Sequence, residues 1–267
     1  MNAPFFSIIT VSFNAEDTIE ETIRSVLSQT FTDYEIIVKD GVSADDTMKR
    51  IPEDGRIRAF SEPDVGVYDA MNQAIEKATG QYLCFLNCGD SFYSNEVLAD
   101  IRKSITAHED KLAVYYGNYE TCGDFTQSPA SLSRYGIYRN PLCHQTMFIP
   151  HIFFEELGLY RSDFRILSDY EFTVHAQTVK KAFYNTGVTV CRYLGGGIST
   201  QKKYRKNLKN EYRWIKKKYF TKKERIAFGL RRAITLPGLR RALASDRAPA
   251  FLRKWYKGLA NKAKKGT

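Results

Sequence analysis

Phe5-Phe6-Ser7-Ile8-Ile9-Thr10-Val11-Ser12-Phe13 is a β-rich apolar run, and the residues behind it decide the fold. Ile19, Ile23, Val26 and Leu27 recur at helical spacing, and Tyr34-Glu35-Ile36-Ile37-Val38 reads as a second strand. Strand, helix and strand in that order predict a parallel βαβ unit. After an Asp40-Gly41 turn the alternation continues: a short helix near 45–51, a strand at 57–60, a helix from Val67 to Ala78 closed by Gly80, and a strand at Tyr82 to Leu86. The expectation is an α/β sheet with its functional residues at the carboxyl ends of the strands. Thr10 to Asn14, Asp40-Gly41 and Asn87 to Asp90 all fall at such ends. Farther along, the pattern gives a helix at 95–108, a strand at Ala113 to Tyr116, a polar irregular stretch from Gly117 to Pro141, and a strand at Thr146 to Ile149. A helix beginning near Asp169 and an alternating stretch from Phe183 to Tyr193 complete the body.

Composition narrows the class. With 267 residues, 43% of them hydrophobic, the chain can bury a substantial core, which excludes disorder throughout. The early apolar run is interrupted by Ser7 and Thr10 and falls short of the ~18 residues of a spanning helix, so neither a signal peptide nor a transmembrane segment is expected. Five cysteines without a C-x-x-C pair support neither a disulfide framework nor a zinc site, and point to a reducing cytoplasm. The net charge of +10 conceals a division: residues 202–267 carry 23 Lys and Arg against 3 Asp and Glu, leaving 17 against 27 in residues 1–201. An acidic body with a basic tail points to an anionic surface, membrane lipid or nucleic acid, as the partner of the tail.

Four segments carry candidate chemistry. Asp90 sits on a Gly-assisted turn after a strand, where one carboxylate can hold Mg²⁺ or Mn²⁺ together with substrate phosphates; the plainer alternative is a turn cap. Asp40 can accept a hydrogen bond from the ring N–H of a uracil, or simply make an Asp-Gly turn, and Ser43 to Asp46 also fits a capping box. Tyr68, Asp69 and Asn72 place a ring and two polar groups on the first turns of a helix, an arrangement able to hold a base and ribose. Asp169 stands in the first turn of its helix, where the dipole keeps a general base ionised, although Ser168 and Glu171 fit a capping box. His144-Gln145 precedes a strand, and Gly195-Gly196-Gly197-Ile198-Ser199 resembles a phosphate-contacting loop or a hinge.

Taken in order, these segments resemble the inverting family 2 glycosyltransferases with the GT-A fold, in particular members that build bacterial surface polysaccharides. The likeness rests on Ser7 to Asn14, Lys39 to Ser43, Ser61 to Asn72, Phe85 to Asp90, Cys143 to Gln145, Ser168 to Tyr170 and Gly195 to Ser199, covering about residues 5–200. It implies a Rossmann-like mixed sheet flanked by helices over residues 1–200, followed by a basic helical tail over 201–267. It further implies that Thr10, Val11, Phe13, Asn14 and Asp40 hold the uridine, with Tyr68, Asp69, Asn72, Asn87, His144 and Gln145 on the donor side. Asp90 is then the metal ligand of a DXD-type motif whose other positions are Asn87 and Gly89, and Asp169 is the catalytic base.

The implied reaction is sugar transfer from a nucleotide sugar to a glycan acceptor, carried on a polyprenyl diphosphate. In the tail, Phe251, Leu252, Trp255, Tyr256 and Leu259 with Arg253, Lys254, Lys257 and Lys262 form a basic amphipathic pattern, and a second runs from Ile226 to Leu243, broken at Pro237-Gly238. Such helices suit the anionic inner face of the plasma membrane, or else dock on the body. The competing readings are a nucleotidyltransferase and a basic-tailed nucleic-acid-binding protein; the acidic body argues against the second, and no nucleic acid is expected as partner.

Overall fold

The computed structural model of the chain describes residues 3–108, 112–195 and 201–235. It divides into two compact units, one of residues up to 132 and from 142 to 212, the other of residues 133–141 and those from 213 on.

In the first unit, β1 (Phe6–Ser12), α1 (Ile19–Leu27) and β2 (Tyr34–Asp40) form the expected parallel unit, with Phe6 opposite Tyr34 and Ser12 opposite Asp40. Helix α1 forms because Ile19, Ile23 and Val26 share one face and are fully buried. Each such side chain contributes ~1.5–3 kcal/mol, which holds a nine-residue helix that would be marginal in isolation. Strand β3 (Ile57–Ser61) adds outside β2, and β4 (Tyr82–Phe85) adds on the other side of β1, both parallel. The crossover between them carries α2 (Val67–Lys77), packed on β1 and β2. This register sets Ser12, Asp40 and Ser61 side by side at the carboxyl edge.

Beyond β4 the sheet becomes mixed. Strand β5 (Ser91–Phe92) is antiparallel to β9 (Ala182–Tyr193), which runs parallel to β6 (Ala113–Thr121). Strand β8 (Met147–Pro150) pairs antiparallel with both β4 and β6, so the order is β3-β2-β1-β4-β8-β6-β9-β5. Alternation along β1 sends Phe6 and Ile8 into one hydrophobic cluster with α1 and α3 (Val97–Thr106), and Ile9 and Val11 into another. The second cluster takes in α2, α5 (His151–Leu157) and α6 (Ser168–Thr178).

The expected irregular stretch 117–141 is irregular at 127–133 and gives way to regular structure on either side. β6 runs on through Thr121, and Cys122 (φ 49) with Gly123 (φ 83) makes a two-residue turn into β7 (Asp124–Thr126). Two consecutive positive φ values are what a tight hairpin with the right-handed strand twist requires. The short helix expected near 45–51 is a single 3-10 turn, Met48–Arg50.

In the second unit, α4 (Arg134–Arg139), the end of α7 (Arg205–Tyr219) and α8 (Lys222–Thr235) gather around aromatic rings. Tyr138 meets Phe220 at 5.1 Å and Phe228 at 5.2 Å. Ile226 and Leu230 are 55% and 60% exposed on α8. The break at Pro237-Gly238 and the pattern from Phe251 to Lys262 lie outside the described residues, as do Gly196 to Ser199. No helix among the described residues is long and apolar enough to cross a membrane.

Candidate active site

At the carboxyl edge of β1 to β3, Asp40 is fully buried and saturated with donors. Its cross-strand neighbours Ser12 and Ser61 donate at 3.1 and 2.8 Å, and Ser43 donates its backbone N–H at 2.8 Å and its hydroxyl at 2.5 Å. Burial alone would raise the carboxyl pKa, but the hydrogen bonds led by Ser43 outweigh it and hold the group below the usual carboxylate range. Ser43 reaches back because Val42 takes φ 64, a costly conformation for a β-branched residue. Ser43 therefore serves Asp40 rather than capping a helix. The turn also clasps the end of β1: Asn14 N–H donates to Ser43 Oγ at 2.8 Å, and Asn14 Oδ1 accepts from Ala44 N–H at 3.0 Å. Lys39, fully buried, pairs with Asp64, and a Cβ on Gly41 would come within 2.9 Å of Asp64 Oδ2 and 3.2 Å of the Phe13 ring. Phe13 is 66% exposed over this turn. Thr10 and Val11 reach the same edge with their side chains turned inward, Thr10 to the Leu86 carbonyl at 2.8 Å and Val11 into the core.

The second constellation is assembled by the dipeptide His144-Gln145. Gln145 Nε2 donates to Asp90 Oδ2 at 2.8 Å, and Leu194 N–H donates to Asp90 Oδ1 at 3.2 Å. Burial raises the Asp90 pKa, and these two donors only partly offset it. His144 Nδ1 lies 3.3 Å from Asp169 Oδ2, and His144 Nε2 lies 3.1 Å from Asn87 Nδ2. Asp169 Oδ1 accepts from the Tyr68 hydroxyl at 2.7 Å. Burial lowers the His144 pKa, but the hydrogen bond and charge of Asp169 outweigh it and raise it above the ordinary value. In the tautomer that carries its single proton on Nδ1, facing Asp169, Nε2 accepts from Asn87, which leaves Asn87 Oδ1 buried without a partner among the described residues. A second proton on His144 would require the amide to turn and present that oxygen.

Asp90, Asn87, His144, Gln145, Asp169 and Tyr68 thus form one network, whereas Asp69 and Asn72 stand outside it. Asp69 Oδ2 accepts from Val65 N–H at 3.0 Å and Gln73 Nε2 at 3.2 Å at the start of α2. Asn72 exchanges two hydrogen bonds with the backbone of Tyr160, at 2.7 and 3.0 Å. Tyr68 is 6% exposed with its ring packed on Tyr160, so it offers a hydroxyl to Asp169 rather than a face to a base. The capping box expected at Ser168 is not built: Leu167 is the N-cap, and Ser168 Oγ accepts from Arg161 N–H at 2.5 Å. The cap's carboxylate comes instead from Glu211 of α7, which the sequence reading did not single out.

Among the described residues no three His, Cys, Asp or Glu side chains are grouped as a protein-only metal cage. A buried carboxylate of raised pKa, supported by two neutral donors, is nevertheless a fitting anchor for a hard cation that takes its other oxygens from a substrate diphosphate and water.

A parallel half-sheet continued by a mixed half, with Asp90 and Asp169 brought together through His144-Gln145, is the arrangement of a nucleotide-sugar transferase of GT-A type. The family model "Glycosyl transferase family 2" matches residues 7–161, and the chain belongs to that family. It is 34% identical over 180 residues to the PGL/p-HBAD biosynthesis glycosyltransferase of Mycobacterium bovis, covering 65% of this chain and 70% of that protein. Over 117 residues it is 36% identical to WfgD of Escherichia coli, the UDP-Glc:alpha-D-GlcNAc-diphosphoundecaprenol beta-1,3-glucosyltransferase, covering 43% of this chain and 45% of that protein. The fold is shared with Staphylococcus aureus TarS 1–349, solved with UDP-GlcNAc, at a TM-score of 0.62 and 18% identity over 73% of this chain and 61% of TarS. These likenesses make the chain a glycosyltransferase and give no support to a nucleotidyltransferase or a nucleic-acid-binding protein.

Proposed function

We propose that this glycosyltransferase moves a sugar, with inversion, from a uridine-diphosphate donor to a hydroxyl of a lipid-linked glycan in surface polysaccharide synthesis. The observation that carries the reading is the His144-Gln145 dipeptide, whose adjacent side chains hold Asp169 and Asp90 at one sheet edge. The donor class is supported by the UDP-GlcNAc bound to TarS, and the acceptor class by the diphosphoundecaprenol acceptor in the name of WfgD.

In this reading the exposed Phe13 ring and the Asn14–Ser43 clasp receive the uridine, and Asp40 fixes the turn that shapes its seat. Asp90 would hold a Mg²⁺ or Mn²⁺ ion, and the chemistry that ion would supply is positive charge against the departing diphosphate. Asp169, oriented by His144 and Tyr68, takes the proton of the acceptor hydroxyl as its oxygen bonds the anomeric carbon and the bond to the diphosphate breaks. Attack from the face opposite the leaving group inverts that centre. Asp169→Asn keeps the size of the side chain and removes the proton acceptor. Its turnover is expected to fall by about 10²–10⁴-fold, with the donor-induced thermal shift retained; an Asn variant with wild-type turnover rejects the assignment.

In the same reading the basic segment attaches the enzyme to the cytoplasmic, anionic face of the plasma membrane. Support comes from exposed Ile226 and Leu230 on α8 beside Lys222, Lys223 and Arg232. Deleting residues 221–267 is expected to abolish co-sedimentation with anionic liposomes, and undiminished pelleting overturns this part.

A further inference from the structure

Residues 202–267 hold only three acidic side chains, and one of them, Glu211, is buried to 7% exposure on the inner face of α7. Its carboxylate accepts three consecutive backbone N–H groups, from Arg165 at 2.8 Å, Ile166 at 3.1 Å and Leu167 at 2.9 Å. These residues lead into α6, and the N-cap Leu167 has no side-chain acceptor of its own. Ile166 links these bonds to Tyr68. Its N–H is held by Glu211, while its carbonyl accepts from the Tyr68 hydroxyl at 2.5 Å. That hydroxyl has one hydrogen and two acceptors, the Ile166 carbonyl and Asp169 Oδ1 at 2.7 Å. The position of Ile166 therefore decides how the Tyr68 proton is shared with Asp169. The neighbouring Tyr212 packs its ring on Tyr170 at 5.5 Å, so α7 grips the chain on both sides of Asp169.

We propose that Glu211 is a positioning residue for the transfer reaction, latching the 165–167 backbone so that Asp169 faces the acceptor hydroxyl. This rests on the reading of Asp169 as the base. Glu211 itself touches neither the Asp40 turn nor Asp90, and the one link toward that turn is the Arg165 guanidinium on the Val65 carbonyl at 3.2 Å, so its loss is expected to act on the acceptor side of the reaction and spare donor binding.

Glu211→Gln keeps the volume but replaces one oxygen by an NH₂ group, which cannot accept from the backbone N–H groups it faces. Glu211→Asp keeps the charge and withdraws it by one methylene. Steady-state kinetics of both, on enzyme shown to be folded at the assay temperature by its melting curve, form the test. The expected result is a kcat lowered about 10–100-fold in the Gln variant and less in the Asp variant, with the donor KM within about twofold of wild type. Wild-type kcat in both variants overturns the proposal, as does a kcat loss accompanied by an equal loss of donor affinity, the sign of general loosening. Asp169→Asn is assayed in parallel: turnover retained there rejects the base assignment itself, whereas an inactive Asn variant beside a fully active Glu211→Gln rejects the latch alone.

Discussion

Asp40 ends β2 and Asp90 stands in the turn between β4 and β5 of the same sheet; both are buried, and their surroundings move their protonation in opposite directions. Asp40 draws on residues that strand register and a local turn deliver automatically, namely Ser12, Ser61 and Ser43, and receives four hydrogen bonds. Asp90 receives two, from Gln145 and Leu194, residues far along the chain, and burial prevails. A carboxylate with four donors is stable as an anion in the free protein. One with two has capacity left for a cation, and under the proposed function that separates a part of the scaffold from a part of the reaction.

The comparison breaks most directly on a pair of isosteric variants. Asp90→Asn is expected to lower transfer by about 10²–10³-fold and to abolish stimulation by Mn²⁺, while shifting the melting temperature by no more than about 2 °C. Asp40→Asn gives up charge-assisted bonds in a buried setting at a cost of about 3 kcal/mol, or about 6–12 °C in a chain of this size. The pH dependences also have opposite signs. The lowered pKa of Asp40 gives stability that is present above the unfolded carboxyl pKa and lost as pH falls through the folded value. The raised pKa of Asp90 gives stability present at low pH and lost as pH rises through the folded value. Melting curves of wild type and both variants between about pH 3 and pH 7 measure this; parallel curves would mean the two carboxylates are equivalent.

The same contrast explains what the sequence could reveal. The β1–α1–β2 unit is legible because its fully buried strands are β-rich apolar runs and its helix buries Ile19, Ile23 and Val26 at helical spacing. Helix α6 has no such period, since eight of its eleven residues are buried, so only its start near Asp169 could be read. The hairpin at Cys122-Gly123 lacks the Asn-Gly or Asp-Gly that announces such a turn, and was expected as irregular chain. In the site, the carboxylates themselves stood out by their place after strands or at a helix start. Tyr68 and the His144-Gln145 pair are named from the sequence too, but not the carboxylate each meets: Gln145 lies 55 residues from Asp90 and Tyr68 lies 101 from Asp169, and Glu211, in a basic segment, carries no local signal. Hydrogen bonds between residues so far apart follow from the packing of β4, β8, α2 and α6, which no local pattern encodes.

A smaller effect sharpens the comparison at its other carboxylate. His144 is held between Asp169 and Asn87, and the charged groups that set its protonation are Asp169 first, then Cys143 and Asp90. Its pKa is raised, so its ionic contribution to stability is fully present below the unfolded value near 6.5 and is lost as pH rises through the folded value. His144→Gln retains a donor toward Asp169 but cannot be charged. The stabilities of wild type and variant, from their melting curves, should therefore differ more at pH 6 than at pH 9, by about 1 kcal/mol, the two side chains being 22% and 12% exposed. Turnover near neutral pH should fall only about tenfold, because Tyr68 still orients Asp169 from the other oxygen. A variant whose stability deficit is the same at both pH values would show that His144 acts as a neutral spacer, and the Asp169 side of the site would then resemble the saturated Asp40 turn more than it resembles Asp90.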